Sequence, residues 1–445
     1  DLRDGSRRPL KDALEGTALV SPYGKYIAWF DPKDGDWYCW NLSSGEFVNL
    51  TSGLDVAFFD EEDDHPLGCF IPATSPRWVG EDEALLIADR YDVWKFSPDG
   101  KKIENLTKGE GRRTGVQYRI IDLGRRNDPY LYQNIQSFPK KGKLYLTTFG
   151  EETSENGYAV ANIAKPSVPQ GFTDKWSFSS TVKAKDAGTI AYLKGNFRNP
   201  MNLHITRDEW KTAECLTDLN RQQDGYLWGD VRMVRWTSYD GTPLKGLLYT
   251  PENLDASRKY PMMIYFYEKN SETLYNYIQP APSRSIINIP FYVSRGYVVF
   301  VPDIVYKDGH PGESAYNCIC AGAEAMCSQF PFVDRSRMAI QGQSWGGYQT
   351  AYLVTRTDMF AAAGAGAPVG NMTSAYGGIR WESGNSRIGQ YEHGQSRIGK
   401  TLWEEGGLDL YVENSPVFFA PKVKTPVLIM HNDADGAVPW YQGIE

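Results

Sequence analysis

Ser344 is the residue whose neighbours best equip it for chemistry. It stands in Gly342-Gln343-Ser344-Trp345-Gly346-Gly347-Tyr348, directly after the apolar run Met338-Ala339-Ile340-Gln341. A Gly-x-Ser-x-Gly frame between a strand-like run and a helix-like one (348–356) predicts a buried strand turning sharply into a helix. The serine hydroxyl would be held out at the turn as a nucleophile. Glycine is needed at 342 and 346 because a side chain there would strike the neighbouring strand and helix, and the strained turn presents the hydroxyl. A helix N-terminus beside it favours an anionic intermediate. The bare pattern arises by chance roughly 0.3 times in a chain of this composition, so the second glycine and the strand-turn-helix setting carry the reading. Two later segments share part of the frame: Gly384-Asn385-Ser386-Arg387-Ile388-Gly389 and Gly394-Gln395-Ser396-Arg397-Ile398-Gly399. Both put arginine and isoleucine where such a turn needs small residues, and they read as loop or cap chemistry.

A nucleophile of this kind needs a sheet to hold it. Residues 234–237 and 244–249, joined by Tyr239-Asp240-Gly241-Thr242-Pro243, read as a hairpin. Near-continuous apolar runs follow at 262–266, 297–301, 338–341, 361–366 and 427–431, separated by helix-length segments. Such runs mean a mostly parallel sheet covered on both faces, in which chemistry gathers at the carboxyl ends of the strands. Three strand ends carry candidates. Ser344 follows one. Tyr267, closing Pro261-Met262-Met263-Ile264-Tyr265-Phe266-Tyr267, follows another and could aim a phenol at an oxyanion, with a satisfied boundary tyrosine as the competing reading. His431-Asn432-Asp433-Ala434-Asp435 follows the third, where a carboxylate could orient an imidazole in the order Ser, Asp, His.

Up to about residue 220 the pattern is different: short aromatic and β-branched runs broken by Gly, Asp, Asn and Pro, an all-β reading. The runs repeat. Trp37-Tyr38-Cys39-Trp40-Asn41-Leu42 leads to Asn49-Leu50-Thr51, and 56 residues on Val93-Trp94-Lys95-Phe96 leads to Asn105-Leu106-Thr107. A further 110 residues on, Asn202-Leu203-His204-Ile205 leads to Glu214-Cys215-Leu216-Thr217, which leaves room for one degenerate unit between. A period in the fifties with about four strands per unit is the signature of propeller blades. About four units are expected, part of a larger ring, with a sandwich of unrelated hairpins as the alternative.

Composition limits the partners. The net charge of −8 without a basic block excludes nucleic acid or an anionic membrane as the main partner. No apolar run approaches a membrane span, and Asp1-Leu2-Arg3-Asp4 is no signal peptide. The compartment is not fixed by the sequence, an extracytoplasmic one being preferred to the cytoplasm. The six cysteines, Cys39, Cys69, Cys215, Cys318, Cys320 and Cys327, have no metal-ligand spacing and are too few for a disulfide scaffold. The run Asp60-Glu61-Glu62-Asp63-Asp64-His65 reads as a solvated acidic loop rather than a cation site, because adjacent carboxylates without a calcium-loop spacing repel. No cofactor or metal is expected, and homo-oligomerisation is left open.

The Ser344 segment, the tyrosine after the Pro-Met-Met-Ile strand, and His431-Asn432-Asp433-Ala434-Asp435 preceded by Thr425-Pro426-Val427-Leu428-Ile429 together resemble the prolyl oligopeptidase family of serine peptidases. The resemblance is specific over 234–445 and architectural before that. It implies a partial β-propeller over 1–222 and an α/β-hydrolase domain over 223–445 lacking its C-terminal end. By position it implies Ser344 as nucleophile, Asp435 as triad acid, and an oxyanion hole made by the Tyr267 hydroxyl and the Trp345 backbone N–H. Residues 367–376 resemble the part lining the pocket for the residue before the scissile bond. The function implied is hydrolysis of short peptides through an acyl-enzyme, with the propeller limiting substrate size. A carboxylesterase on the same fold or a non-catalytic binding protein is the alternative.

The chain departs from that pattern in two ways. The family's catalytic histidine lies roughly thirty residues beyond its aspartate, whereas this sequence ends ten residues after Asp435. None of His65, His204, His310, His393 and His431 occupies that place, so the histidine is expected beyond Glu445. Residues 1–445 alone are expected to be inactive, with strand residues such as Val427 and Ile429 meeting water. Further, Ala437 stands where dipeptidyl peptidases carry an asparagine, and no glutamate pair for a free amino terminus is evident, which disfavours dipeptide release.

Overall fold

The computed structural model describes residues 4–7, 9–12, 14–123, 137–282 and 286–445. The first half folds as four successive antiparallel meanders of four strands each, within 18–49, 77–105, 116–174 and 177–215. The third of these occupies the place where the repeat was expected to be degenerate.

The repeat has a physical cause. In the first meander the Thr51 hydroxyl accepts from the Trp37 N–H at 2.9 Å and donates to Asp36 at 2.6 Å. In the second, Thr107 accepts from Val93 N–H at 3.1 Å and donates to Asp92 at 2.6 Å. In the fourth, Thr217 accepts from Leu203 N–H and donates to Asn202, both at 2.9 Å. Each threonine thus ties the outermost strand of its meander back to the strand before it, satisfying a backbone donor that the short ladder leaves over.

Period-2 alternation then stacks the sheets. Ala84–Ala88 is wholly buried because its two faces serve different neighbours. Leu85 and Ile87 pack with Ala28, Phe30 and Trp37 of the first meander, while Leu86 and Ala88 pack with Leu144, Leu146 and Ala159 of the third.

The second half is built on one seven-stranded sheet: β1 (Asp230–Thr237), β2 (Pro243–Thr250), β3 (Tyr260–Tyr265), β4 (Val298–Pro302), β5 (Val333–Gln343), β6 (Ala362–Gly366) and β7 (Val427–Met430). The spatial order is β1-β2-β4-β3-β5-β6-β7. β1/β2 and β2/β4 pair antiparallel, and the four remaining pairs are parallel. The sheet is therefore mostly parallel with an antiparallel edge, which the expected hairpin supplies.

Both faces are covered, as the continuous apolar runs require. On one face Leu248, Ile264 and Phe300 pack against α1 (Pro311–Gln329) and α2 (Trp345–Arg356). On the other, Leu247, Val299 and Val301 pack against Phe197, Trp228 and Val293. β5 begins five residues before the expected run, because Asp334, Arg335 and Ser336 are polar strand residues at an exposed end. β7 leaves Leu428, Ile429 and Met430 exposed while Val427 is half-buried. No helix among the described residues is long and apolar enough to cross a membrane.

Candidate active site

The turn from β5 into α2 has the strain its sequence demands. Ser344 sits at φ 59°, ψ −112°, a region that L-residues populate only where surrounding structure over-determines it. The surroundings do so through contacts that admit no Cβ. One added at Gly342 would lie 2.2 Å from the Gly346 carbonyl oxygen, at Gly346 2.6 Å from that of Phe266, and at Gly347 2.2 Å from that of Gly366. The turn is also clamped from outside, since the Ser344 N–H donates to the Gly366 carbonyl at 2.8 Å. Trp345 is the first residue of α2, so its N–H is among those with no acceptor inside the helix.

Tyr267 follows the end of β3 beside this turn, its ring 3.9 Å from a Cβ position at Gly346. A buried phenol holds the two together. The Tyr306 hydroxyl donates to the Tyr267 carbonyl at 3.2 Å, accepts from Trp345 Nε1 at 2.9 Å and meets the Gln349 amide. Burial pushes the Tyr306 phenol well above its ordinary pKa, so it stays a neutral donor. Gln395 Nε2 reaches the Tyr267 hydroxyl at 3.2 Å and Glu268 at 2.8 Å, leaving the phenol free to donate elsewhere.

Asp435 lies in the loop after β7. Its Oδ1 accepts from the backbone N–H groups of Ala437 and Val438 at 2.8 and 2.9 Å, which orients the carboxylate. His431, near by, donates from Nε2 to the Val438 carbonyl at 2.9 Å and lies 3.9 Å from Asp435 Oδ2. The other imidazoles are engaged elsewhere: His65 with Asp63, His310 with Glu413, His393 with the Pro66 carbonyl, and His204 stacked on Tyr192.

A narrow cavity of about 20 Å³ joins Ser344 and Trp345 to Ala437 and Val438 of the Asp435 loop. Val369 and Met372, from the segment expected to line a specificity pocket, form part of its wall, and so do Arg380 and Arg387. Arg380 was not singled out from the sequence, and Arg387 was read there only as part of a loop or cap. The signal was there in the two Gly-x-Ser-Arg-Ile-Gly segments, which bury both of their arginines: Arg387 is 1% and Arg397 2% exposed. Arg397 bonds Asp64 at 2.6 Å and Glu268 at 3.1 Å and lies over the Tyr306 ring. Burial works against its charge, but the two carboxylates more than restore it and its pKa is raised.

The acidic loop is thereby drawn into structure. Asp63, Asp64 and His65 do bring their ligand atoms within 4.8 Å of one another, as do His310, Glu313 and Glu413, but Asp64 is already spent on Arg397 and Glu413 on His310. All six cysteines are unpaired.

A sequence model described as the prolyl oligopeptidase family matches residues 282–445. The match includes the Ser344 turn and the Asp435 loop, whereas Tyr267 lies before it. Dipeptidyl peptidase 8 of Mus musculus is 32% identical over 59% of this chain and 30% of its own length. Dipeptidyl-peptidase 5 of Porphyromonas gingivalis is 23% identical over 97% of this chain and 63% of its own. The chain thus spans less than two thirds of either relative. Among solved structures, a puromycin-hydrolyzing peptidase of Mycobacterium tuberculosis is similar over 98% of this chain and 64% of its own, with a TM-score of 0.62 at 18% identity. That likeness is one of fold.

Proposed function

We propose that the protein is a serine peptidase acting on short peptides, with residues 1–222 as propeller blades and 223–445 as the α/β-hydrolase domain. The observation that carries this is the strained Ser344 turn, held by backbone contacts to Phe266 and Gly366 and sharing a cavity with the Asp435 loop. In the proposed reaction the Ser344 hydroxyl oxygen attacks the peptide carbonyl and its proton passes to an imidazole that Asp435 orients. The Tyr267 hydroxyl and the Trp345 N–H donate to the oxyanion. Collapse expels the amine, which takes the proton from the imidazolium, and water then cleaves the acyl-enzyme by the same steps in reverse roles.

None of the five histidines of this sequence lines the cavity at Ser344, so the proposal assigns the base to an imidazole outside residues 1–445. The packing of the second meander between the first and the third supports the blade reading. A cavity of about 680 Å³ where the two halves meet, reached by Arg90 and Glu151 from one side and Lys269 and Asp303 from the other, supports a size-limited route for peptides.

The test is labelling of the full-length protein with a fluorophosphonate, which captures serines activated by an adjacent base. Labelling should map to Ser344 and vanish in Ser344→Ala. Labelling that survives the substitution would overturn the assignment.

A further inference from the structure

We infer that the cavity beside Ser344 selects an acidic residue, aspartyl or glutamyl, on the acyl side of the scissile bond, with Arg387 as the residue that reads it. The inference rests on the serine peptidase reading above and deepens it. Arg387 is 1% exposed. Its Nη1 donates to the Ala437 carbonyl at 2.6 Å and its Nη2 to the Tyr391 hydroxyl at 3.3 Å, while Nε has no partner. Arg380, on the same cavity, donates only to the Gln390 side chain, at 2.9 Å. Neither guanidinium has a carboxylate partner among the described residues.

That is unusual for buried arginine. Guanidinium stays protonated in any protein environment, and an uncompensated buried charge is strongly unfavourable unless something else supplies the counter-charge. The contrast within the same chain is instructive. Arg397, in the twin segment, is equally buried and has both Asp64 and Glu268. Arg387 has two neutral oxygens and faces a cavity that opens at the nucleophile.

A substrate carboxylate would complete the set: guanidinium forks match carboxylates in geometry as well as charge. The cavity has room for one or two water-sized groups, which suits a carboxylate head and excludes a ring. Val369 and Met372 would flank the methylene stem. Pinning the Asp435 loop through Ala437 is a structural role Arg387 also has, so the test must read selectivity and not activity alone.

The test uses the full-length protein and fluorogenic peptide amides that differ only in the residue whose carbonyl is attacked: Glu, Asp, Gln or Lys. Charge-assisted hydrogen bonds of this kind correspond to about 10- to 100-fold. kcat/KM for Glu or Asp should exceed that for Gln by such a factor, with Lys lowest. Arg387→Met should bring the Glu/Gln ratio to near one, and Arg387→Lys should keep part of it. Should Arg387→Met fail to fold, Arg380→Gln should still lower the ratio. The wild-type ratio needs no variant: Gln equal to or better than both acids overturns the inference. Fluorophosphonate labelling of the same sample separates the two claims. Labelling at Ser344 without acid preference removes this inference alone, and neither labelling nor turnover of any amide removes both.

Discussion

The Tyr267 hydroxyl is the donor whose role is most exposed to experiment. Its backbone carbonyl is held by Tyr306 and Gln349 at 3.2 and 3.1 Å, so removing the hydroxyl leaves the strand end and the Ser344 turn in place. If the phenol donates chiefly to the oxyanion, Tyr267→Phe should lower kcat by about 10- to 1000-fold with little change in KM. A loss confined to KM would make Tyr267 a packing residue of the substrate site. His431 differs in kind. Its Nε2 proton is committed to the Val438 carbonyl, so the ring acts as a brace for the loop that carries Asp435.

At the scale of elements, the loop 394–399 does more than close a surface. Through Arg397 it ties Asp64, in the acidic loop of the first half, to Glu268, one residue beyond Tyr267. Through Gln395 it touches the Tyr267 hydroxyl itself. Replacing Arg397 with methionine removes a buried cation and strands two carboxylates that are each 28% exposed. Because water can partly compensate them, a loss of about 2–4 kcal/mol is expected, read as a lower urea midpoint at unchanged slope. A midpoint within error of wild type would show that the bridge does not hold the halves together.

At the scale of the molecule, the two halves also meet around Glu151. Burial opposes its ionisation, yet Arg90 at 2.7 Å, the Tyr91 hydroxyl at 2.6 Å and Gln117 at 2.6 Å outweigh it, and its pKa lies below the ordinary 4.5. A carboxyl with a lowered folded pKa stabilises fully above its unfolded pKa and loses that contribution as pH falls through the folded value. The Glu151 contribution should therefore be present at neutral pH and decline from about pH 4.5 downward. Urea midpoints measured from pH 7 to pH 3 should fall more steeply at the acid end for wild type than for Glu151→Gln. Parallel curves would assign the acid sensitivity to other groups.

What this sequence determined by itself is what local sterics dictate. The Ser344 turn was legible because Gly342, Gly346 and Gly347 face backbone that leaves no room for a Cβ, a constraint written within a few residues. The meanders were legible because each Thr51-type hydroxyl closes a loop of 14 residues onto its own sheet, so the same residues recur at the same spacing. The parallel sheet was legible because burial on both faces leaves no polar alternation. Only the tertiary structure decided the rest. An arginine in sequence reads as surface, and nothing local distinguishes Arg397, whose partner Asp64 is 333 residues away, from Arg387, which has no acidic partner among the described residues. Charge compensation is settled by which distant segments the fold brings together. The chemistry of the serine is therefore a property of its neighbours in the chain, and the charge of the cavity beside it a property of the packed molecule.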